Sequence, residues 1–339
     1  MAESRVISNQ LRFLLVVLLS HVVAAGQESM SGKAKYIYMH RESSSRQRVL
    51  QKLYRHTSAI GFEKAGILDK ARKVASDETF RVLEIGCGYG WNTHDVAQML
   101  PKNARVTAVD ANHDLILAAQ EQLEQENDDL RNRIEYLALA GEEAASKYSG
   151  QFDAVWIRAV IVHVPDPTAL LQAAIACLKP GGILLVEEPD SLGSMSDPEI
   201  FAIDFLGSAQ QTAMSNLGGD FRRGCLIGNY IKTVGGMTDI HGSSFVPLAG
   251  KGLIIPPWLG VEESPLGKWP SQDELFQLGL DFMKGSLDTM EHKLLEIGMC
   301  TEAEMKRARE SIDKVADLDY QIHTCRAGKM FQWWATKAE

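Results

Sequence analysis

The stretch richest in chemical potential is V-L-E-I-G-C-G-Y-G, Val82 to Gly90, where an apolar run enters three glycines and a helix is predicted to start near Trp91. Lacking a Cβ, Gly86 and Gly88 let the backbone turn sharply and lie against a ligand, while the first turn of the helix aims free N–H groups at the same point. Cys87 and Gly90 complete the loop. The next apolar run, V-T-A-V-D, ends in Asp110, at the spacing where a carboxylate reaches the two hydroxyls of a ribose. Taken singly, the glycines also admit a structural turn, and the Asp a solvated side chain. In register they specify a nucleoside site.

Loop and acid suit a dinucleotide as well as a sulfonium nucleoside, so finer detail has to separate the two. Dinucleotide sites carry a third glycine three residues after the second, for close helix packing, and here that place is Trp91. Glu84, inside the strand just before the glycines, is badly placed beside a pyrophosphate and well placed beside an ammonium group. S-adenosylmethionine (SAM) has an amino-acid end and no phosphate, and fits both residues better than NAD does.

Elements that must position these residues follow in a regular rhythm. Five short apolar runs, Arg81 to Ile85, Arg105 to Val109, Ile134 to Leu139, Phe152 to Ile157 and Ile183 to Val186, read as buried strands. Between them lie amphipathic segments, with Leu115, Ile116, Ala119 and Leu123 on one face and Leu170, Leu171, Ala174, Ile175 and Leu178 on another. The alternation predicts an α/β chain with a doubly wound, Rossmann-like, mostly parallel sheet, capped by N-terminal helices and C-terminal insertions. Residues 1–29 read as an apolar leader, 30–78 as a helical cap, 79–189 as the nucleoside-binding core, and 190–339 as cap insertion, remaining strands and C-terminal helices.

Past Pro189 the rhythm breaks, with a helix expected near Pro198 to Leu206, a crossover helix over Ile227 to Val234 and a strand from Thr238. S-Q-D-E at Ser271 and T-E-A-E at Thr301 match the capping box, and Gly298 suits the stop between those two helices. Met330 to Ala335 reads as a last edge or antiparallel strand. The insertions are expected to form a lid over the strand ends.

E-I-G-C-G-Y-G, V-T-A-V-D, F-D-A-V-W-I-R-A-V-I-V-H-V-P-D-P and L-K-P-G-G-I-L-L-V-E-E-P, in this order, resemble class I SAM-dependent methyltransferases of the ubiquinone-biosynthesis-like kind. The resemblance covers Arg81 to Pro189 well and extends loosely through D-F-R-R-G-C-L-I-G-N-Y-I, Asp220 to Ile231. It implies that Glu84, Gly86 and Gly88 border the methionine part of SAM and that Asp110 holds the ribose. Ala111 would line the adenine, and Arg158 would sit past the fourth strand near the methionine end. Asp153 and Leu178 to Gly182 read as structural. The sequence departs from the family after the third strand, where Ala140 stands in place of an Asp that accepts from the adenine amino group, and Gly141 or Glu142 is left to take that part.

On the acceptor side, His163 in V-I-V-H-V-P-D-P lies where the family places residues near the transferred methyl, and an imidazole there reads either as a base or as a packing side chain. Asp166 before Pro167 reads as a helix N-cap. Glu187 and Glu188 end the fifth strand at the edge where open α/β sheets bind ligands. Tyr36, Tyr38 and His40 are candidates to close over the cofactor, and Phe221, Arg222 and Arg223 to orient an anionic acceptor, with a solvated or packing role as the plain reading of each. Trp333 and Trp334 read as part of a buried strand.

A net charge of −9 over 339 residues argues against a nucleic-acid partner, which needs clustered Lys and Arg. Five scattered cysteines without a C-x-x-C pair suit a reduced, SAM-containing compartment. Against this, Leu11 to Ala25 is an apolar run preceded by Arg5 and Arg12; it reads as a signal or membrane anchor, a dispensable leader, or a buried helix. The expected activity is methyl transfer to a small molecule. The alternatives are a lipid or quinone methyltransferase held at a membrane through residues 11–25, an NAD-dependent oxidoreductase, an RNA or protein methyltransferase, and a SAM-binding regulator without turnover.

Overall fold

The computed structural model describes residues 43–190, 195–197, 200–216, 218–245, 248–249, 263–296, 298–316, 324–326 and 329–339. The apolar run 11–25 and the candidates Tyr36, Tyr38 and His40 lie outside the described residues. No helix among the described residues is long and apolar enough to cross a membrane.

Helices α1 (Ser43–Lys64) and α2 (Ile67–Lys73) lead into an alternating series. It runs β1 (Phe80–Ile85), α3 (Trp91–Met99), β2 (Ala104–Asp110), α4 (His113–Leu123), α5 (Asp128–Arg131), β3 (Ile134–Ala138), α6 (Ala144–Tyr148), β4 (Phe152–Arg158), α7 (Pro167–Cys177) and β5 (Leu178–Asp190). The second part of the chain holds β6 (Met195–Asp197), α8 (Phe201–Asn216), α9 (Ile227–Val234), β7 (Met237–Phe245), β8 (Leu248–Ala249), β9 (Glu263–Ser264), β10 (Gly267–Lys268), α10 (Gln272–Glu296), α11 (Glu302–Ala316), β11 (Thr324–Arg326) and β12 (Lys329–Lys337).

The main sheet has seven strands in the order β3-β2-β1-β4-β5-β12-β7. Strands β1 to β5 pair in parallel, and β12 runs antiparallel to both neighbours. Strand β4 is buried at all seven positions, as expected of a central strand covered on both faces. Period-two alternation sends Val82 and Trp156 to one face, against Phe62, Ile67 and Val96, and sends Leu83, Ile85, Val155 and Ile157 to the other, against Leu170, Leu171 and Ile227. The sheet departs from the dinucleotide-binding order 3-2-1-4-5-6 by continuing past β5 through an antiparallel strand.

Local signals set the helix ends. Asp166 caps α7 by accepting from the amides of Thr168 (2.9 Å) and Ala169 (3.1 Å), with Pro167 at the first turn. Both capping boxes form: Ser271 and Glu274 exchange hydrogen bonds, as do Thr301 and Glu304. Gly298, at φ 67°, closes α10 with its amide on the Leu295 carbonyl.

Three expectations are corrected. Met330 to Ala335 is antiparallel, as one of the two readings had it, but lies inside the sheet between β5 and β7 and not at its edge. The helix expected over Pro198 to Leu206 is Phe201–Asn216. Leu178 to Gly182 does turn tightly, but within the span of β5: the register with β4 jumps from Phe152↔Leu178 to Ala154↔Ile183, and Gly181 takes φ 67° to absorb the extra residues.

A buried polar knot ties sheet to cap. Trp156 Nε1 donates to Oε2 of Glu187 (2.8 Å), and Gln332 Nε2 donates to Oε1 of Glu187 and to the Thr57 carbonyl of α1 (2.8 Å). Glu187 and Gln332 are both fully buried. Around α1, Arg46 donates to Ser286 of α10 (3.0 Å) and His56 Nδ1 meets Ser264 of β9 (2.7 Å). Replacing Trp156 by Phe leaves one Glu187 oxygen without its donor and opens space beside Phe62, so unfolding in urea is expected to show a loss of roughly 2 to 4 kcal/mol. A loss below about 0.5 kcal/mol, within the range of neutral surface changes, contradicts this role for the indole.

Candidate active site

The glycine loop closes on the end of β2. The amides of Gly86 (2.7 Å) and Cys87 (3.1 Å) both donate to the Val109 carbonyl, and Gly88 donates to Oδ2 of Asp110 (2.9 Å). The second Asp110 oxygen accepts from the Asn112 amide (2.9 Å), which starts α4. Asp110 therefore spans the two loops that a nucleoside would lie between. Burial raises its pKa, against the pull of these two amides. Ala111 beside it is exposed.

Two of the glycines are dictated by close approach. Gly86, at φ 80°, leaves no room for a Cβ, which would collide with Val160 from the loop after β4. A Cβ on Gly90, at φ 76°, would strike the Tyr136 hydroxyl, which instead donates to the Gly90 carbonyl (3.2 Å). The Gly88 face is open apart from Gln47 of α1, whose Oε1 would lie 3.2 Å from an added Cβ. The Cys87 side chain points into the hydrophobic core, so only its backbone belongs to the loop. Burial pushes that thiol well above its usual range.

Beneath the loop, Glu84 is buried and accepts from Thr93 Oγ1 of α3 (2.6 Å). Desolvation raises its pKa to about 7, with Thr93 and the nearby Arg158 acting in the opposite sense. Arg158, at the end of β4, is 7% exposed; its Nη1 donates to Asn92 Oδ1 of α3, and its guanidinium lies 5.9 Å from the Tyr54 ring. Asp95, one turn along α3, takes Gln51 and Arg55 (2.6 Å) of α1. Helix α1 thus lies along α3, and Arg48 sits over the Trp91 ring at 4.1 Å.

The loop after β4 is held from three sides. Ala159 takes φ 54°, an uncommon conformation for a residue with a side chain, while its amide donates to the Glu187 carbonyl (2.8 Å). Glu188, fully buried, accepts from the amides of Val160 (2.9 Å), Ile161 (2.6 Å) and Val162 (3.4 Å). Burial lifts its pKa to about 8 in spite of those three donors. Arg223 donates to the carbonyls of Ile161 (3.0 Å), Val164 and Gly218 (3.0 Å), which fastens the insertion to the same loop.

The structure brings Glu84, Gly86, Gly88, Gly90, Asp110 and Arg158 together at the carboxyl edge of β1, β2 and β4. After β3, Glu142 is exposed on a single 3-10 turn, while Gly141 is buried where an added Cβ would strike Ile85 and Leu170, so its lack of a side chain serves packing.

Several acceptor-side assignments are corrected. Glu187 is fully buried with both oxygens engaged, so it braces the sheet instead of facing an acceptor. Glu188 holds backbone for the same reason. Arg222 is turned onto Asp220, bonding it through Nε (2.9 Å) and Nη2 (2.8 Å), so that edge of the exposed guanidinium is not directed at the cradle. His163 Nδ1 lies 3.3 Å from the Met214 sulfur and its ring 5.9 Å from Phe221; burial, with Arg46 and Arg223 nearby, lowers its pKa to about 3, which makes it a weak base. Thr93, Asn92 and Tyr136 are site residues that the sequence reading missed. Their only signal was position, directly after the glycine loop and inside β3.

Residues 83–184 match the methyltransferase domain family. Ubiquinone biosynthesis O-methyltransferase of Xanthomonas axonopodis pv. citri is 33% identical over 129 residues, 38% of this chain and 48% of that protein. The protein of the same name from Psychrobacter cryohalolentis is 34% identical over 106 residues, 31% of this chain and 39% of its own length. The chain thus spans about half the length, or less, of these curated relatives. A solved structure of phosphoethanolamine N-methyltransferase 2 from Haemonchus contortus aligns over 87% of this chain and 60% of that one, at 17% identity and a TM-score of 0.42, a likeness too loose for any residue to be carried across. The fold is Rossmann-like, and its segment 83–184 is similar to methyltransferase domains. The resemblance read from the four motifs is borne out over that segment, which contains the glycine loop, Asp110 and Arg158.

A neutral, half-buried His163 has a measurable signature. Its folded pKa lies below the ordinary value of about 6.5, so the stability it contributes is complete above that pH and is lost as pH falls toward 3. An NMR titration of the ring is expected to show no protonation down to about pH 4, and a midpoint of 6 to 7 would place the imidazole in solvent.

Proposed function

We propose that this protein is a SAM-dependent methyltransferase acting on a small-molecule acceptor. One observation carries the reading: the cradle pairs a nucleoside anchor, Asp110, with a buried acid, Glu84, at the place where a dinucleotide would set its pyrophosphate. An anion beside a desolvated carboxylate is repelled, whereas the ammonium of an amino-acid end is attracted. The match of residues 83–184 to a methyltransferase domain and the antiparallel β12 in the sheet support the same choice over NAD.

Bound SAM supplies an electrophilic methyl group on its sulfonium. The protein's task is then to align the acceptor with the sulfur–methyl bond and to exclude water, and orientation of this kind accounts for about 7 to 11 kcal/mol in well-aligned systems. Asp110 fixes the ribose end, Glu84 the ammonium end, and the loop Ala159 to Val162, held by Glu188, forms the wall beside Gly86. His163 does not serve as a strong base, which favours acceptors that are nucleophilic without assistance or that lose their proton to solvent.

The name of the curated relatives supports a finer, second reading, in which the acceptor atom is an oxygen on a quinone-type molecule. The run 11–25 supports a lipid or quinone acceptor as well. Release of S-adenosylhomocysteine with phenols but not amines would support the oxygen; the reverse would exclude it. Cys87, Cys177, Cys225 and Cys300 are free thiols, in keeping with a reduced compartment.

Calorimetry is expected to show heat with SAM or S-adenosylhomocysteine and none with NADH; the opposite pattern overturns the proposal. Asp110→Ala is expected to weaken SAM by roughly 10- to 100-fold, the loss of one or two hydrogen bonds to a charged acceptor. Unchanged affinity removes the ribose assignment.

Glu84 makes binding pH-dependent. With a free-protein pKa of about 7, it is protonated below that pH and must ionise to meet an ammonium. SAM affinity should therefore rise from pH 6 to about pH 7 and level off above, with a slope approaching tenfold per pH unit on the acid side. Glu84→Gln should flatten the profile. A slope that survives this substitution assigns the titration to another group.

A further inference from the structure

The Arg158 guanidinium is one of the least satisfied polar groups in the described part of the protein. Only Nη1 has a hydrogen-bond partner, Asn92, while Nε and Nη2 are buried with none. A buried donor without a partner costs about 1 to 3 kcal/mol, more when charged, so such a group calls for an explanation. Nε and Nη2 lie along one edge of the guanidinium and present two parallel N–H bonds, the geometry that takes a carboxylate in a bidentate grip.

Arg158 acts on Glu84 and Asp95 through its charge, but none of the surrounding acids hydrogen-bonds it. Asp95 is taken by Arg55 and Gln51, Glu84 by Thr93, and Asp110 by the amides of Gly88 and Asn112. The backbone holds Arg158 firmly, because it ends β4 immediately before Ala159 at φ 54°, and Asn92 fixes the plane of its head. Arg158 and Glu84 bracket the first turn of α3, where Asn92 and Thr93 stand side by side. One free cationic edge and one buried acid across a single helical turn match a zwitterion, with its carboxylate toward Arg158 and its ammonium toward Glu84.

From this geometry we infer that Arg158 is the specificity-determining residue for the amino-acid carboxylate of the cofactor, so that the protein discriminates against adenosyl thioethers and sulfonium nucleosides that lack it. The inference rests on the SAM reading above and adds to it the group that is read and the residue that reads it. A small-molecule acceptor bearing an acid is the competing occupant of the same edge.

Binding of S-adenosylhomocysteine and of 5′-methylthioadenosine, which shares the nucleoside and thioether but has no amino-acid end, separates the two. Wild type is expected to prefer S-adenosylhomocysteine by tens-fold or more. Arg158→Met should collapse that preference to a few-fold while leaving 5′-methylthioadenosine affinity unchanged, which also shows the cradle still folded. Arg158→Lys, which keeps the charge without the fork, serves where the Met variant does not fold and is expected to retain an intermediate preference. A preference unaltered by both substitutions, or a parallel loss of both ligands, overturns the inference. In that case a rise in acceptor KM would hand Arg158 to the acceptor. If wild type binds 5′-methylthioadenosine as tightly as S-adenosylhomocysteine, the inference falls and the cofactor proposal stands; if it binds neither, both fall.

Discussion

Carboxylates withdrawn from water at the carboxyl edge of the sheet are the constraint around which this site is organised. Glu84, Asp110 and Glu188 end or nearly end β1, β2 and β5, and each gives its oxygens to the loops or helices that follow the strands. A desolvated carboxylate is costly unless its lone pairs are filled, so the chain has little freedom in how those loops run. Asp110 pins the glycine loop to the start of α4, and Glu188 gathers three consecutive amides after β4. Glu84 differs: with Thr93 as its one hydrogen-bond partner it remains under-compensated, as its raised pKa reflects. Asp110 and Glu188 build the frame, and Glu84 keeps the acceptor capacity that the proposed ammonium contact needs.

The same logic separates the arginines. Arg223 is spent on three carbonyls and Arg222 on Asp220, so both belong to the scaffold of the insertion. Arg55 neutralises Asp95 and fastens α1 to α3. Arg158 alone in this set keeps a free edge in a buried setting. Function shows here as incompleteness against a background of satisfied groups, which is why hydrogen-bond accounting separates residues that composition treats alike.

How far the sequence could be read follows from the range of the forces involved. Period and punctuation are local: the five parallel strands, the crossover helices and the caps at Asp166, Ser271 and Thr301 all announce themselves within a few residues. The Gly86 loop and Asp110 were legible because their chemistry depends on a fixed spacing between a strand end and its neighbour. Residues whose role depends on contacts far along the chain were not. Glu187 looked like an acceptor contact because it stands at the right sheet edge, and only Trp156 and Gln332, 31 and 145 residues away, show that it is a brace. Met330 to Ala335 carried the right pattern for a strand, but nothing local says that it enters between β5 and β7. His163 was ambiguous in the same way, since Met214 and Phe221, which enclose it, come from the irregular insertion.

The loop after β4 joins the glycine cradle to the insertion. On one side Val160 packs under Gly86 so tightly that no Cβ is tolerated there. On the other, Arg223 and the Asp220 amide, which donates to the Val162 carbonyl (2.8 Å), bind the insertion to the backbone of the same loop. The insertion therefore meets this loop through the Arg223 guanidinium, a main-chain hydrogen bond and the packing of Met214 and Phe221 on Val162. Ala159 keeps its strained angle and Arg158 its position because backbone hydrogen bonding anchored by Glu188 holds the loop between them and the insertion. The segment similar to methyltransferase domains, residues 83–184, ends just before Glu188 and the insertion begin, so the anchor of this loop lies at the junction of the two.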